Sequence, residues 1–354
     1  MMMLFLLACL CLMVFCMYDV YRFFTVSMNF RYQKQCYIGC SILVAISMIL
    51  RFSFHFYQIE SDLLSTMILY ICSYSFFVYI LLFFVYWAYR FYHRYHPNAI
   101  GKRWFLITLL MASLITSFSL WNATQIKKKE YVVPIAGLTK DMDLMLVSDL
   151  HISTSVKHTQ IQKLFTLASQ ERVEAILIAG DLFDESTTKK DMQYFCDQAK
   201  RSRQQIYYAL GNHESLSPNK QAYLAMLTKA NVKILQDETV LLDHQLLLVG
   251  RKDKMEKHRK PLADLVSQNE MVLVMDHRPV YDETKVALQV SGHTHNGQIA
   301  INQLFTSIVY PHIYGSYDDP YPMIVTSGYG TWGFPMRLAS QNEYVILHIV
   351  NTAK

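Results

Sequence analysis

The pattern of hydrophobic positions divides the chain near residue 122. Before that point four long apolar runs follow one another, at 1–17, 38–50, 63–87 and 104–121. A membrane-spanning helix needs about 17–25 apolar residues, a length that the second run reaches only when it is counted over 36–54. After residue 122, short apolar strands alternate with helical patterns, which predicts an α/β domain. We therefore expect four transmembrane helices at 1–125 and an α/β domain at 126–354.

Charge in the loops between the apolar runs predicts an orientation. Lys and Arg are enriched in the first and third loops, which places these loops in the cytoplasm and the polar half on the other side. Lys127, Lys128 and Lys129 follow the last run and favour the opposite orientation. On balance the pattern predicts an integral, multi-pass protein of the cell membrane, with its polar domain on the extracytoplasmic side.

Composition agrees with a chain in two unlike halves. Hydrophobic residues make up 52% and charged residues 17%, which is apolar for a soluble protein. The net charge of +5 is modest, and no basic tract interleaved with aromatic residues indicates a nucleic-acid surface. Of seven cysteines only Cys196 lies in the polar half, so that half cannot form an internal disulfide.

Polar residues follow each of five predicted strands in the second half. The strands are at 143–148, 175–179, 205–210, 271–275 and 285–290. The residues that follow them are, in order, Asp149 and His151, Asp181, Asn212 and His213, His277, and His293 and His295. Ligand groups gather at the carboxyl ends of strands in open α/β sheets. The pattern therefore predicts that these side chains converge on one site.

Each of these residues also has a plain structural interpretation. Asp149 alone could cap a helix, and two histidines one residue apart could simply hydrogen-bond within a polar loop. Five such strand ends in succession favour a metal site over these alternatives. A mixture of imidazole and carboxylate suits Mn, Fe or Zn better than Mg, which prefers oxygen ligands alone.

The five blocks resemble the signature of a known family. Order and spacing are similar to those of the calcineurin-like metallophosphoesterases across about 143–350, with every block intact. The blocks are Asp149-x-His151, Gly180-Asp181, Gly211-Asn212-His213-Glu214, His277-x-Pro279 and Gly292-His293-x-His295. The resemblance implies a four-layer α/β/β/α sandwich, two mixed sheets flanked by helices, with two divalent metal ions at the strand ends.

The resemblance also implies a role for each residue. One metal ion would be held by Asp149, His151, Asp181 and His295. The other would be held by Asp181, Asn212, His277 and His293, so that Asp181 bridges the two ions. His213, beside Asn212 in the catalytic block, would protonate the leaving oxygen, and Glu214 would orient His213.

A second, narrower resemblance lies in the tail. Tyr314-Gly315, the segment 327–333 and Pro335-Met336-Arg337 are similar to a branch of bacterial membrane-associated phosphoesterases. That branch includes relatives of the enzymes that hydrolyse acylated UDP-glucosamine. Arg337 could bind a phosphate in a bidentate manner or form a structural ion pair.

Together these features predict a membrane-anchored phosphoesterase with a dinuclear metal centre. Its expected substrate is a phosphodiester, a pyrophosphate or a phosphomonoester, on a lipid or another envelope-associated molecule. The alternative is a membrane scaffold that keeps the fold as a binding module without catalysis, because fold alone does not imply activity. The complete set of ligands and the intact His213 favour the enzyme.

Overall fold

The computed structural model describes residues 102–153, 156–267 and 271–352, together with residues 88, 91 and 92. The chain divides into two units, Met1–Ser119 and Leu120–Lys354. The boundary expected between residues 125 and 126 stays a prediction. The account below concerns the second unit, which contains all of the predicted site residues.

The described residues form α-helices and strands in alternation over most of the second unit. The α-helices are α1 (Lys102–Asn122), α2 (His158–Gln170), α3 (Lys189–Arg201), α4 (Asn212–Leu216), α5 (Lys220–Lys229) and α6 (Ala300–Val309). The first strands are β1 (Ile126–Ile135), β2 (Met142–Val147), β3 (Ala175–Ala179), β4 (Gln205–Ala209), β5 (Val232–Leu235) and β6 (Glu238–Leu242). The remaining strands are β7 (Leu246–Gly250), β8 (Val272–Met275), β9 (Leu288–Ser291), β10 (Gly315–Tyr317), β11 (Met323–Val325) and β12 (Asn342–Asn351).

The strands form two mixed sheets of six strands each within the described part of the chain. The first has the order β1-β12-β2-β3-β4-β5, and the second has the order β10-β11-β9-β8-β7-β6. Strands β2 to β5 run parallel to one another, as do β7, β8, β9 and β11. Parallel neighbours bring their carboxyl ends to the same edge of a sheet. The strand ends that carry the predicted ligands are therefore neighbours within each sheet.

The side chains of β2 point alternately into two different cores, which shows how the sheets pack. Leu144 and Leu146 point into a core that also contains Leu248 and Leu273 of the second sheet. Their neighbours Met145 and Val147 point the opposite way, into a core shared with helices α2, α3 and α5. Because side chains alternate between the two faces of a strand, the apolar run from Leu144 to Val147 is covered on both sides.

The predicted sandwich of two mixed sheets is confirmed, but its layers are not symmetric. Helices α2, α3 and α5 cover the outer face of the first sheet. The outer face of the second sheet presents Val249, Val272 and Val274, which pack against Leu262 and Tyr321. Leu262 belongs to a short 3-10 helix and Tyr321 to a loop. In the described segments, the expected fourth layer is therefore built from loops and a single turn.

The prediction of a four-helix transmembrane region is corrected. A search of the described residues finds no helix whose length and apolar character would let it cross a membrane. The prediction of a multi-pass membrane protein is overturned with it. The first three apolar runs lie outside the described residues, and α1 covers the fourth. Run length reflects composition alone, and it does not distinguish a helix surrounded by lipid from one surrounded by protein.

The predicted linker at 122–141 contains a strand instead. Strand β1 pairs in parallel with β12 at the edge of the first sheet and carries Lys127, Lys128 and Lys129 on largely exposed positions. Charged residues suit an edge strand because they discourage pairing with other chains, and Pro134 is tolerated there. Strands β10, β11 and β12 were also absent from the prediction, since the tail was interpreted through its glycines.

The packing of β12 leads to a stability prediction. Leu347 is fully buried, and it pairs with Leu144 across the first sheet. We expect Leu347→Ala to lower the free energy of unfolding by about 2–5 kcal/mol, because the change leaves a cavity between the sheets. Denaturant unfolding followed by circular dichroism measures this. Val132→Ala, at an exposed position of β1, is the control and should change stability little. Equal effects of the two substitutions would contradict this packing.

Candidate metal centre

The predicted site residues follow the carboxyl ends of β2, β3, β4, β8 and β9. Five of them adopt a left-handed backbone conformation, with φ of 54° at Asp149, 45° at His151, 51° at Asp181, 71° at His293 and 50° at His295. Such values are uncommon for residues other than glycine and concentrate at functional sites. Each turn redirects the chain so that its side chain leaves the strand direction and faces the gap between the sheets.

Asp149, His151 and His295 form a first group. Their candidate ligand atoms all lie within 4.8 Å of one another. The Nε2 atoms of His151 and His295 are 3.2 Å apart, and His295 Nε2 lies 3.4 Å from Asp149 Oδ1. All three residues are buried. Two imidazole nitrogens that face each other across a carboxylate are arranged to share a cation.

Asp181, His277 and His293 form a second group with the same spacing of 4.8 Å or less. His277 Nε2 lies 3.0 Å from Asp181 Oδ2 and 3.2 Å from His293 Nδ1. His277 Nδ1 is 2.9 Å from the carbonyl of Ala179, to which it can donate. A bond of this kind fixes the tautomer and leaves Nε2 free as a ligand.

Asp181 lies between the two groups. Its Oδ2 atom is 3.8 Å from His151 Nε2, so one carboxylate reaches a histidine of each group. Asn212 follows Gly211 and precedes His213, whose backbone N–H donates to Asp181 Oδ1 at 2.9 Å. The Oδ1 atom of Asn212 is buried and has no hydrogen-bond partner among the residues that the structure describes. Buried polar atoms normally have a partner, and a bound cation would supply one here.

Glycines allow the two sheets to approach closely at this point. A Cβ at Gly180 would lie 2.3 Å from His277 Nδ1, and a Cβ at Gly292 would lie 2.0 Å from Ser148 Oγ and 2.3 Å from Asp149 Oδ2. Gly180 also has φ of +90°. Any larger residue would therefore separate the ligands of the first sheet from those of the second.

Burial and neighbouring charges set the protonation of the site. Burial raises the pKa of Asp149, whereas at Asp181 the effect of burial is outweighed by His277, which holds the pKa well below its usual range. At His277 burial is outweighed by Asp181, and the pKa rises to about 10. Burial and the charge of His277 lower the pKa of His293 to about 3. Burial and Arg337 likewise lower the pKa of His295.

The side chains suit a pair of divalent metal ions. Imidazole and carboxylate are common ligands of such ions, and each group combines histidine with aspartate. The unpaired oxygen of Asn212 adds a neutral donor beside Asp181.

A comparison with family models agrees with this geometry. The model of the calcineurin-like phosphoesterases matches residues 142–297, a segment that contains every predicted site residue. The chain belongs to the calcineurin-like phosphoesterase superfamily. It is a metal-dependent phosphoesterase.

Similar proteins come from bacteria and from animals. A protein named as an uncharacterized metallophosphoesterase of Campylobacter jejuni is 27% identical over 71% of each chain. Another from Helicobacter pylori is 29% identical over 63% of this chain and 64% of its own length. A zebrafish protein named as a transmembrane protein with a metallophosphoesterase domain is 23% identical over 67% of this chain and 61% of its own. The chain thus matches less than two thirds of the last two relatives. The narrower resemblance to acylated UDP-glucosamine hydrolases stays a prediction.

His213 of this phosphoesterase lies beside the first group, with its ring centroid 4.9 Å from that of His151. Its Nδ1 atom is 3.1 Å from Glu185 Oε2. Burial alone would lower the pKa of His213, but the bond to Glu185 and the charge of Asp181 outweigh it and raise the pKa to about 9. His213 is therefore protonated at neutral pH, with its second nitrogen directed away from Glu185.

The expected role of Glu214 is wrong. Glu214 is fully buried and accepts hydrogen bonds from the backbone N–H groups of Asp181, Leu182, Phe183 and Gly211, so it does not orient His213. That position is taken by Glu185, which the sequence analysis missed. Glu185 lies four residues after Asp181 and carries no signal in the sequence beyond its charge.

Arg337 forms no ion pair with the described residues and is instead committed to hydrogen bonds within the fold. It is fully buried and donates to the backbone carbonyls of His295, Ser327 and Gly330 and to Asn342 Oδ1. These bonds fix the segment that carries His295. Tyr310, which the sequence analysis also missed, places its hydroxyl 2.7 Å from His293 Nε2 and so supports the second group.

The unpaired oxygen of Asn212 leads to a prediction about metal binding. Asn212→Ala removes an amide oxygen that accepts no hydrogen bond from the described residues, so the melting temperature of the metal-free protein should change little. The substitution should instead reduce the rise in melting temperature on adding Mn, and lower the bound metal toward one ion per chain. Calorimetry and elemental analysis measure both quantities. Unchanged metal content and stabilisation would exclude Asn212 as a ligand.

Proposed function

We propose that this protein hydrolyses phosphate esters at a dinuclear metal centre. Asp149, His151, Asp181 and His295 would hold one ion. The other would be held by the residues of the second group and by Asn212, with Asp181 shared. The observation that carries the proposal is the position of the Asp181 carboxylate, 3.0 Å from His277 and 3.8 Å from His151.

The donor set favours Mn, Fe or Zn as the resident ions. When bound, two such ions act as Lewis acids, lower the pKa of a bound water and stabilise both oxygens of an in-line displacement at phosphorus. The protein places buried carboxylates and neutral imidazoles around them, and this low-dielectric surrounding strengthens each electrostatic contact.

His213 would supply the proton that the leaving oxygen needs. Its Nδ1 atom faces Glu185, so its Nε2 atom is the one available to a substrate. A general acid must be protonated in the resting enzyme and must lie within hydrogen-bonding reach of the leaving group. The exposed indole of Trp332, with its ring centroid 5.4 Å from that of His213, would form one wall beside the leaving group.

The reaction class that we propose includes phosphodiesters, pyrophosphates and phosphomonoesters. All three present a phosphoryl centre with anionic oxygens and a leaving oxygen, which is what the ligand groups and His213 are arranged to bind and protonate. A lipid-linked phosphate is our proposal for the natural substrate.

Activity with synthetic esters tests the proposal. The full-length chain, supplied with Mn, should hydrolyse bis-p-nitrophenyl phosphate or p-nitrophenyl phosphate, and the ratio of the two rates separates diesterase from monoesterase. His213→Ala should lower kcat by about 10²–10⁴-fold while the metal content stays unchanged. The loss should be larger with phenyl esters than with p-nitrophenyl esters, because p-nitrophenolate leaves without protonation.

The control for this experiment is His158→Ala. His158 is a half-buried histidine on α2 that pairs with Asp191 at 2.9 Å, so its removal should leave kcat unchanged. An equal loss with both leaving groups would contradict a role for His213 as the acid. Two bound ions without turnover of any ester would favour a binding module over an enzyme.

The contrast between Glu185 and Glu214 leads to a second pair of variants. Glu185→Gln removes the charge beside His213, so we expect a lower kcat with poor leaving groups and an unchanged melting temperature. Glu214→Gln replaces an oxygen that accepts from buried N–H groups with a donor. We expect a loss of about 1–3 kcal/mol in stability for each bond that is left unmade.

Thermal unfolding and steady-state kinetics on the same preparations separate the two roles. A stability loss in Glu185→Gln without a kinetic effect would show that Glu185 is structural. Full stability in Glu214→Gln would show that its backbone bonds are dispensable.

A further inference from the structure

Helix α6 exposes an apolar face that nothing in the described structure covers. Leu304, Phe305, Ile308 and Val309 are 70%, 65%, 80% and 69% exposed. The ten residues of the helix include no charged side chain. Isolated exposed apolar residues are ordinary, but a contiguous group of four large ones marks an interaction surface.

The helix is attached to the metal centre at both ends. Near its start, Gln303 Nε2 donates to Asn296 Oδ1 at 2.8 Å, and Asn296 directly follows His295. After it, Tyr310 places its hydroxyl 2.7 Å from His293 Nε2. Ile308 and Val309 immediately precede Tyr310. The apolar face therefore directly precedes a residue, Tyr310, that contacts the proposed metal ligand His293.

A cationic side chain lies beside Tyr310. The Arg278 guanidinium interacts electrostatically with Tyr310 and pairs with Asp253, with Nε 2.8 Å from Oδ2. Asp253 belongs to the loop 251–260, which also exposes lysines at 254, 257 and 260. This loop is held to the segment after His213 by a contact between Glu256 and Ser215.

Tyr310 thus has a cationic residue, Arg278, as one neighbour and the uncharged helix α6 as the other. A ligand that matches both sides carries a phosphate at one end and a hydrocarbon chain at the other. Phosphate oxygens suit the cationic side and the metal centre, whereas an alkyl chain loses no hydrogen bonds on the uncharged face of α6. A water-soluble phosphate ester would leave that face exposed.

We propose that the exposed face of α6 binds the hydrocarbon chain of an amphiphilic phosphate ester whose phosphate lies at the metal centre. The inference rests on the proposed function, because it assigns the substrate class of the same site. The face is about 9 Å long for the six helical residues 304–309, enough to lie along roughly seven methylene groups.

A series of p-nitrophenyl alkyl phosphodiesters tests this with the full-length chain. Methyl, hexyl and dodecyl esters share one scissile bond and differ only in the chain, and each would be used as a monomer below its critical micelle concentration. We expect KM to fall at least about tenfold from the methyl to the dodecyl ester, since burial of each methylene is favourable. kcat should change little, because the chain contacts α6 and not the reacting atoms.

Two matched double variants test whether α6 is the surface that binds the hydrocarbon chain. One removes apolar side chains from α6, and the other removes exposed apolar side chains elsewhere. Leu304→Ser combined with Ile308→Ser should abolish the dependence of KM on chain length and leave the methyl ester unaffected. Val132→Ser combined with Leu241→Ser removes two exposed apolar side chains from strands β1 and β6 and should keep the dependence. Circular dichroism would verify that both double variants are folded.

The outcomes separate this inference from the proposed function. Turnover of the methyl ester with no effect of chain length would overturn the inference and leave the phosphoesterase intact. A chain-length effect that survives the α6 variant would place the hydrocarbon elsewhere and also overturn it. If the α6 variant dissociates an oligomer seen in sedimentation, and chain length has no effect, a second copy of the chain covers this face. Absence of turnover with every ester would instead contradict the proposed function.

Discussion

The buried carboxylate of Glu214 is the contact on which the metal centre depends. Its two oxygens accept from backbone N–H groups at the ends of β3 and β4, with Leu182 N and Gly211 N both at 2.7 Å. Asp181 is held in this way in a left-handed turn, where its side chain can face both groups of ligands. A carboxylate satisfied by several N–H groups is rigid, and rigidity is what a shared ligand requires.

The second constraint is the close approach of the two sheets. Asp149, His151, Asp181 and Asn212 come from the first sheet, whereas His277, His293 and His295 come from the second. The apolar core between the sheets sets their separation, and Gly180 and Gly292 remove the side chains that would keep the ligands apart. Metal binding is therefore coupled to the packing of the whole sandwich, because neither sheet holds a complete set of ligands.

Charged, aromatic and apolar residues occupy different positions around this centre. Glu185 and Trp332 flank His213, so the proton donor lies between a charged partner and an aromatic wall. Tyr310 separates the cationic residue Arg278 from the uncharged helix α6. The ligand groups are those expected of the superfamily, while these outer residues are where a particular substrate would be selected.

The sequence alone determined the strands, the order of the ligands and the family. Short apolar runs such as 175–179 can only be buried strands, and a polar residue after each one is a local pattern that needs no tertiary information. The same local reasoning failed for β1 and β12, because charged edge positions and a glycine-rich tail carry no clear period. It also failed for the predicted membrane region, since the length of an apolar run does not show whether lipid or protein surrounds it.

The tertiary structure decided which residues act together. Glu214 and Glu185 are both acidic residues close to a ligand block, and nothing in the sequence indicates which one faces His213. The turns decide this: Glu214 points back toward the ends of β3 and β4, and Glu185 reaches across to the imidazole. Arg337 is 42 residues from His295 and contacts its backbone, a distance that no pattern along the chain reports. The sequence shows which functional group each residue carries, but only the folded chain shows which residues contact one another.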